Sequence, residues 1–464
     1  MRLRNILILG LLIRLAMAPF FAHPFDVYAW YVICRSIIER GPYFVSYFPP
    51  MLFYTFMPIA YIYDWVARVF SAHCIPVEAI PSELNPFPQF RMECFTDILF
   101  NGIVKIPFII SDILAAVLLF KIVLALSGDT RLANRGAALW FLNPYLIWIS
   151  TGWGMFDTLP ATCSLASFYM LLKRKVSLSA VLLGIAVAYK LYPVLFLIPI
   201  ALFLLRTKES KEMETLVRFL FSFALTSAIL FAPSVGRVLD FSHGLLALPP
   251  EIGRLGFGLT YWSALLMIKA DQTTIAILSN LFLAVTLGWV FFRLGKLPFE
   301  GKFFDLAAAE LCCILAVYVS FRFIAEQFFV WSLPFLTIAV LEKRVEEVAY
   351  RSLCLIAVAY SIVNLLFPFF LLSTAPWTQS QLLAAVKFLR HGGLPEEGPG
   401  NPLAYVPHVS ATTVILTTLG SAFTILTVIV VIESLLRKGD RMISRALPNW
   451  VNGLLRRMRI QVEV

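Results

Sequence analysis

Lys190 stands in "VAYKLYP", inside the run "LSAVLLGIAVAYKLYPVLFLIPIALFLL", which otherwise reads as unbroken hydrocarbon. A charge at the centre of such a helix costs roughly 2.5–3.5 kcal/mol, so Lys190 either reaches water there or has a partner. Other groups with chemical capacity interrupt apolar sequence in the same way. Asp26 lies in "HPFDVYAWY" and Asp157 in "STGWGMFDTLP". Tyr192 follows Lys190 by two residues, Arg322, Glu326 and Gln327 share "SFRFIAEQFFVW", and Tyr261 and Trp262 close "GRLGFGLTYW". A carboxylate in such a set can serve as a general base. A lysine can offer a point charge to a phosphate.

The elements that must position these residues are membrane helices. The chain has 464 residues, is 60% apolar and contains several apolar runs near the length that crosses a bilayer, which makes it an all-α, multi-pass membrane protein. Its net charge of +10 is no nucleic-acid signal, because Lys and Arg cluster in short blocks between apolar runs, as cytoplasmic loops do. With 5 His and no close His/Cys/Asp spacing, a structural metal or other cofactor is not indicated, and a loosely held divalent ion stays open. Cys74 and Cys94 share one polar, Pro-rich segment; if it faces an oxidising compartment they are either a disulfide or two free thiols.

Placing the basic blocks inside gives a consistent path. The N-terminus is basic, lacks an A-x-A-like cleavage site and reads as a retained first span within 1–22. The next clear span, about 103–125, precedes the basic "SGDTRLANRG", so residues 23–102 form an extracytoplasmic loop. Within it, residues 49–69 look like a span but would reverse every later block, so they are read as a juxtamembrane helix rich in interfacial aromatics. A core membrane module follows over 103–233, with spans near 136–151, 158–172, 177–189, 193–206 and 215–233. An outer loop occupies 234–272, and a second module covers 273–435 with its own outer loop at 372–410. The basic tail 436–464 is cytoplasmic, as is the N-terminus, and suits contact with anionic membrane lipids. The spans come to about twelve.

This topology brings every residue named above to the outer side. The helices flanking "YKLYP" reach only about 20 Å at 1.5 Å per residue, short of the ~30 Å hydrocarbon, so Lys190 should sit in a recessed pocket. Its expected partner there is a phosphate and not a protein carboxylate. Each residue also has an architectural reading. Asp26 fits the N-cap of the helix predicted from "DVYAWYVICRSIIERG", and Asp157 fits the cap of the span it precedes. Lys190 can snorkel, Arg322 can anchor at the interface, and Asp112 can hold helices together by a hydrogen bond.

Taken in order, "FDVYAWY", "YFPPMLFYTFMP", "FIISDILAAVLLF", "WFLNPYLIWISTGWGMFD", "AYKLYPVLFLIPIAL" and "EQFFVWSLPFL" resemble the GT-C superfamily of polyprenyl-phosphate-sugar-dependent glycosyltransferases. Within it they look like the GPI mannosyltransferase I family, over most of the N-terminal two-thirds. The resemblance implies a GT-C-type bundle and inverting transfer from a dolichyl- or polyprenyl-phosphate sugar, most often mannose, on the lumenal or extracytoplasmic face. It implies a lipid-linked glycan or glycolipid as acceptor, and leaves room for an accessory membrane subunit. Asp26 would be the general base and Lys190 would lie near the donor phosphate. The GPI enzyme's first loop carries a paired-acid D-x-D, whereas Ala22 to Tyr28 hold only Asp26 here.

The chemistry agrees with the residues. Inverting displacement at an anomeric carbon needs one carboxylate to take the acceptor proton, and a phosphate leaving group needs cations and no general acid. Asp26 with Lys190 and Arg322 supplies that set; a hydrolase would use two carboxylates, for which Asp26 and Asp157 are the candidates. Two non-enzymatic readings stand beside it: a flippase of lipid-linked sugars, and a membrane subunit that only binds a partner.

Overall fold

The computed structural model describes residues 1–41, 49–72, 74–76, 94–206, 211–233, 258–262, 272–296, 303–364 and 411–436. Most of the outer loops expected at 234–272 and 372–410, and nearly all of the basic tail, lie outside these residues. Within them the chain is helical apart from one short antiparallel ladder, which pairs Ile75 with Phe95 and Pro76 with Cys94. Cys74 and Cys94 are joined in a disulfide across that ladder.

In chain order the helices are α1 (Leu3–Met17), α2 (Pro24–Arg40), α3 (Pro50–Phe70), α4 (Ile98–Val104), α5 (Ile106–Ser127), α6 (Thr130–Phe141) and α7 (Pro144–Ile147). They continue as α8 (Thr158–Leu172), α9 (Val176–Tyr189), α10 (Leu197–Leu204), α11 (Glu212–Phe231), α12 (Gln272–Lys296), α13 (Phe303–Ser320), α14 (Leu333–Leu341), α15 (Glu347–Asn364) and α16 (Ala411–Leu436). Four stretches among the described residues are long and apolar enough to cross a membrane: Ile98–Ser127, Glu212–Phe231, Thr274–Lys296 and Phe303–Ser320. The aromatic helix α3 is not one of them; it carries Pro58 internally and exposes Tyr54, Tyr61 and Trp65. Of the long helices, α13 is central, with 72% of its apolar window buried, and α11 is peripheral at 6%.

Several segments expected as continuous spans are interrupted, and the interruptions have local causes. The segment expected at 136–151 ends as α6 at Phe141. Asn143 then caps α7 by accepting from the Tyr145 N–H at 2.9 Å, with Pro144 in the first turn, where its missing N–H costs nothing. A π-helical turn, Trp148–Trp153, follows and stops at Gly154, whose φ of +90° disfavours any side chain. The segments expected at 193–206 and 327–341 each open with a 3₁₀ helix, Tyr192–Phe196 and Glu326–Trp331, before α10 and α14.

The first helix is held by a buried ion pair. Arg14 donates from Nε to Asp112 Oδ2 at 2.8 Å, linking α1 to α5, and both side chains are fully buried. Ser150 donates to the same oxygen at 2.7 Å, and Arg14 Nη1 donates to the Phe141 carbonyl at 2.8 Å. Asp112 is therefore a joint between helices, in line with its architectural reading. Removing one member of such a pair strands the other charge, which typically costs about 3–5 kcal/mol. Arg14→Met should accordingly lower thermal stability in detergent by an amount of that order, and Arg14→Met with Asp112→Leu should recover most of it.

Candidate active site

Asp26 sits in the first turn of α2, but not where the sequence suggested. The helix begins at Pro24, because proline suits its first position, and the N-cap is His23. Asp26 is thus freed from capping, and its own N–H is accepted by His23 Nδ1 at 3.2 Å. Its Oδ2 lies 2.9 Å from His23 Nδ1 and accepts from Trp153 Nε1 at 2.6 Å. Oδ1 has no protein donor among the described residues, and the side chain is 22% exposed. Burial pushes the carboxyl's pKa up, but His23, Trp153 and the charge of Lys190 together outweigh it and hold Asp26 below its ordinary value. A charged carboxylate with one free oxygen is what a general base requires.

The start of α2 is clamped to the turn before α8. The His23 N–H donates to the Trp153 carbonyl at 3.0 Å, and Trp30 Nε1 donates to the Gly154 carbonyl at 2.9 Å. The His23 and Trp153 rings stack with centroids 4.8 Å apart. A Cβ at Gly154 would meet Val27 Cγ2 at 2.9 Å and Lys105 Cε at 3.0 Å, so only glycine permits this approach. Lys105 lies between α4 and α5, fully buried, and donates to the carbonyls of Ala18 and Phe21 just beyond α1.

Lys190 leaves the end of α9 in extended conformation, three residues before Pro193. Its Nζ donates to Asp157 Oδ1 at 2.6 Å, which corrects the expectation that no protein carboxylate would partner it. The partner was hidden because Asp157 occupies the N-cap position of α8 without using its side chain there. Trp331 Nε1 also donates to Oδ1, at 2.5 Å, while the buried Oδ2 has no partner among the described residues. Aromatic rings surround the ammonium group: Phe328 at 4.4 Å, Trp331 at 4.8 Å and Phe156 at 5.0 Å. Residues three apart eclipse in a 3₁₀ helix, so Phe328 and Trp331 stack at 4.3 Å. Tyr192 stacks on Trp331, also at 4.3 Å and within 3° of parallel.

The two carboxylates and the lysine form one electrostatic unit, since Asp26 feels the charge of Lys190 and Asp157 feels that of Asp26. The 3₁₀ helix carrying Trp331 begins at Glu326, which is buried and whose backbone carbonyl accepts from the Tyr145 hydroxyl. Gln327 Oε1 and Arg322 Nε are buried without hydrogen-bond partners among the described residues. Tyr261 and Trp262 lie against the turn containing Arg322: Leu259 donates its N–H to the Ile324 carbonyl at 2.7 Å, and Trp262 Nε1 donates to the Ser320 carbonyl at 3.0 Å. A Cβ at Gly258 would stand 2.7 Å from the Ile324 oxygen. Asp26, Asp157, Lys190 and Tyr192 are thus joined through Trp153, Phe156 and Trp331, while Tyr261, Trp262 and Arg322 occupy the adjoining turn.

Sequence reasoning missed His23, Trp153, Trp331 and Lys105. The signals were present: a histidine three residues before the acid, tryptophans inside both chemistry-bearing segments, and a lysine within an apolar run. Among the described residues no group of three or more His, Cys, Asp or Glu is arranged to hold a metal ion.

These features define a helical membrane protein with a carboxylate–cation site at the ends of broken helices. By sequence it is similar to the GPI mannosyltransferase I proteins, as its motifs suggested. The GPI alpha-1,4-mannosyltransferase I catalytic subunit of Danio rerio is 28% identical over 305 residues, which are 61% of this chain and 73% of that protein. GPI mannosyltransferase 1 of Candida albicans is 32% identical over 110 residues, and that of Saccharomyces cerevisiae 27% identical over 124. Those matches take in 23% and 26% of this chain, and only 27% and 30% of the two fungal proteins. The family model of GPI transamidase subunit PIG-U matches residues 87–242.

The Lys190–Asp157 pair yields a stability test. Asp157→Leu alone should destabilise the protein by about 3–5 kcal/mol, by stranding the lysine. Adding Lys190→Met should restore most of that loss in a detergent unfolding experiment.

Proposed function

We propose that this chain is a membrane glycosyltransferase that moves a sugar, mannose by the resemblance, from a polyprenyl-phosphate donor to a lipid-linked glycan or glycolipid. The observation that carries the reading is Asp26: a charged, partly exposed carboxylate with a free oxygen, set beside the caged lysine. In the reaction the acceptor hydroxyl attacks the anomeric carbon and gives its proton to Asp26 Oδ1. The bond from that carbon to the phosphate oxygen breaks with inversion. Lys190 supplies the positive charge that the departing phosphate needs, with Arg322 in the adjoining turn as a second cation. Occupation of the site by the donor phosphate would give Lys190 a second anionic partner beside Asp157. Asp26→Asn should abolish transfer from polyprenyl-phosphate mannose in detergent while thermal stability stays near that of the wild type. Normal turnover by this variant would remove Asp26 from the base role.

The reaction is assigned to the extracytoplasmic side. The Cys74–Cys94 disulfide supports this, because structural disulfides persist in oxidising compartments, and the loop that holds it also holds Asp26. Ser71, exposed at the end of α3, provides the check: with Ser71→Cys, a membrane-impermeant thiol reagent should label sealed vesicles when applied to the extracytoplasmic face and not when applied to the cytoplasmic face.

A subunit role is favoured by a different observation, the match of residues 87–242 to a GPI transamidase subunit, a stretch that excludes Asp26. A chain acting only as a binding subunit would tolerate Asp26→Asn, so the transfer assay separates the two readings.

A further inference from the structure

His23 touches Asp26 twice through one atom. Nδ1 is 3.2 Å from the Asp26 backbone N–H and 2.9 Å from the Asp26 carboxylate oxygen Oδ2. A ring nitrogen accepts in one tautomer and donates in the other, so it cannot serve both contacts at once. With Nδ1 unprotonated, His23 is a helix cap and two lone pairs face each other across 2.9 Å. With Nδ1 protonated, it donates to the carboxylate, and the shorter contact becomes the hydrogen bond.

The surroundings favour the second state. Trp153 Nε1 donates to the same Oδ2 at 2.6 Å, so the two donors converge on one oxygen and leave Oδ1 turned away from both. The imidazole is held for that task, its ring stacked on Trp153 and its backbone N–H bonded to the Trp153 carbonyl. Among the described residues the charged groups around the pair are Lys190 and Asp157, from the end of α9 and the start of α8, and Lys105, from the junction of α4 and α5, whose Cε lies against Gly154. The net field leaves Asp26 charged.

We propose that His23 is a positioning residue which, as an Nδ1–H donor, clamps Oδ2 of Asp26 and reserves Oδ1 as the basic oxygen. This rests on the reading of Asp26 as the base. Where the resembled family carries a second acid beside its base, this chain carries a histidine–acid pair. The clamp does not move the acceptor's proton; it fixes the rotamer and the charge of the group that receives it.

Two measurements test the clamp. The first needs no turnover: ¹⁵N NMR of histidine-labelled wild-type protein, with the His23 signal among the 5 histidines identified by its loss in His23→Asn. At neutral pH, Nδ1 should carry a proton, and Asp26→Asn should shift its resonance. An unprotonated Nδ1 would overturn the proposal, whatever the protein's activity. The second is the pH profile of kcat/KM for His23→Asn. Asn is among the best N-caps, so the helix start is kept while the donor to Oδ2 is altered. Without the imidazole the lowering influence of His23 is lost while burial still raises the Asp26 titration, so the acid limb should move to higher pH and the rate at low pH should fall. A profile of unchanged shape would show that His23 only caps the helix. Absence of transfer product from the wild type would instead sink the glycosyltransferase reading and leave the NMR result to decide His23.

Discussion

A cation removed from water inside a helical membrane protein costs several kcal/mol unless other groups replace its hydration shell. Among the described residues, the fully buried Arg14 and Lys105 and the largely enclosed Lys190 lie under that constraint, and each ties together parts that would otherwise be separate. Arg14 joins α1 to α5 through Asp112 and to the end of α6 through a carbonyl. Lys105 gathers the carbonyls of Ala18 and Phe21, so the segment leading from α1 to His23 has a defined course. Lys190 draws Asp157 and the Phe328–Trp331 face to the end of α9. Lys105 and Lys190 bear most directly on Asp26, because the segment before it supplies the carbonyls that solvate Lys105 and the turn facing it carries Asp157, the partner of Lys190.

The turn from Trp153 to Asp157 is where these ties meet. Its first residue receives His23 and donates to Asp26, its glycine lets Lys105 and Val27 approach, and its last residue pairs with Lys190. Regular α-helix could not deliver so many groups within five residues. A π-helical turn precedes this stretch, and 3₁₀ helices follow Lys190 and carry Trp331. Departures from α geometry of this kind recur at functional sites, because they redirect side chains that a straight helix would spread around its axis.

The similarity to known proteins divides the site. Residues 87–242, which match a GPI transamidase subunit, include Asp157 and Lys190 but neither Asp26 nor Trp331. The longer similarity to a GPI mannosyltransferase I catalytic subunit extends to 61% of the chain. A caged lysine–aspartate pair is thus compatible with more than one role, and it is the free oxygen of Asp26 on which the proposed transfer rests.

By itself the sequence determined the membrane class, a helix at about 49–69 and the gathering of Asp26, Asp157, Lys190 and Tyr192. Apolar run length, charge blocks and proline positions act locally, and each is visible along the chain. It also offered a helix-joining role for Asp112, although Arg14, its partner 98 residues away, could not be read from it. Only the tertiary structure decided who pairs with whom: Lys190 with Asp157, His23 and Trp153 with Asp26, Cys74 with Cys94. Asp157 looked like a cap because it occupies a cap position, and Asp26 looked like one because the helix was expected to start at the acid itself. Both were redirected by groups distant in sequence. A hydrogen bond is set by a separation of about 3 Å in space, and no pattern along the chain encodes that separation between residues brought together only by packing.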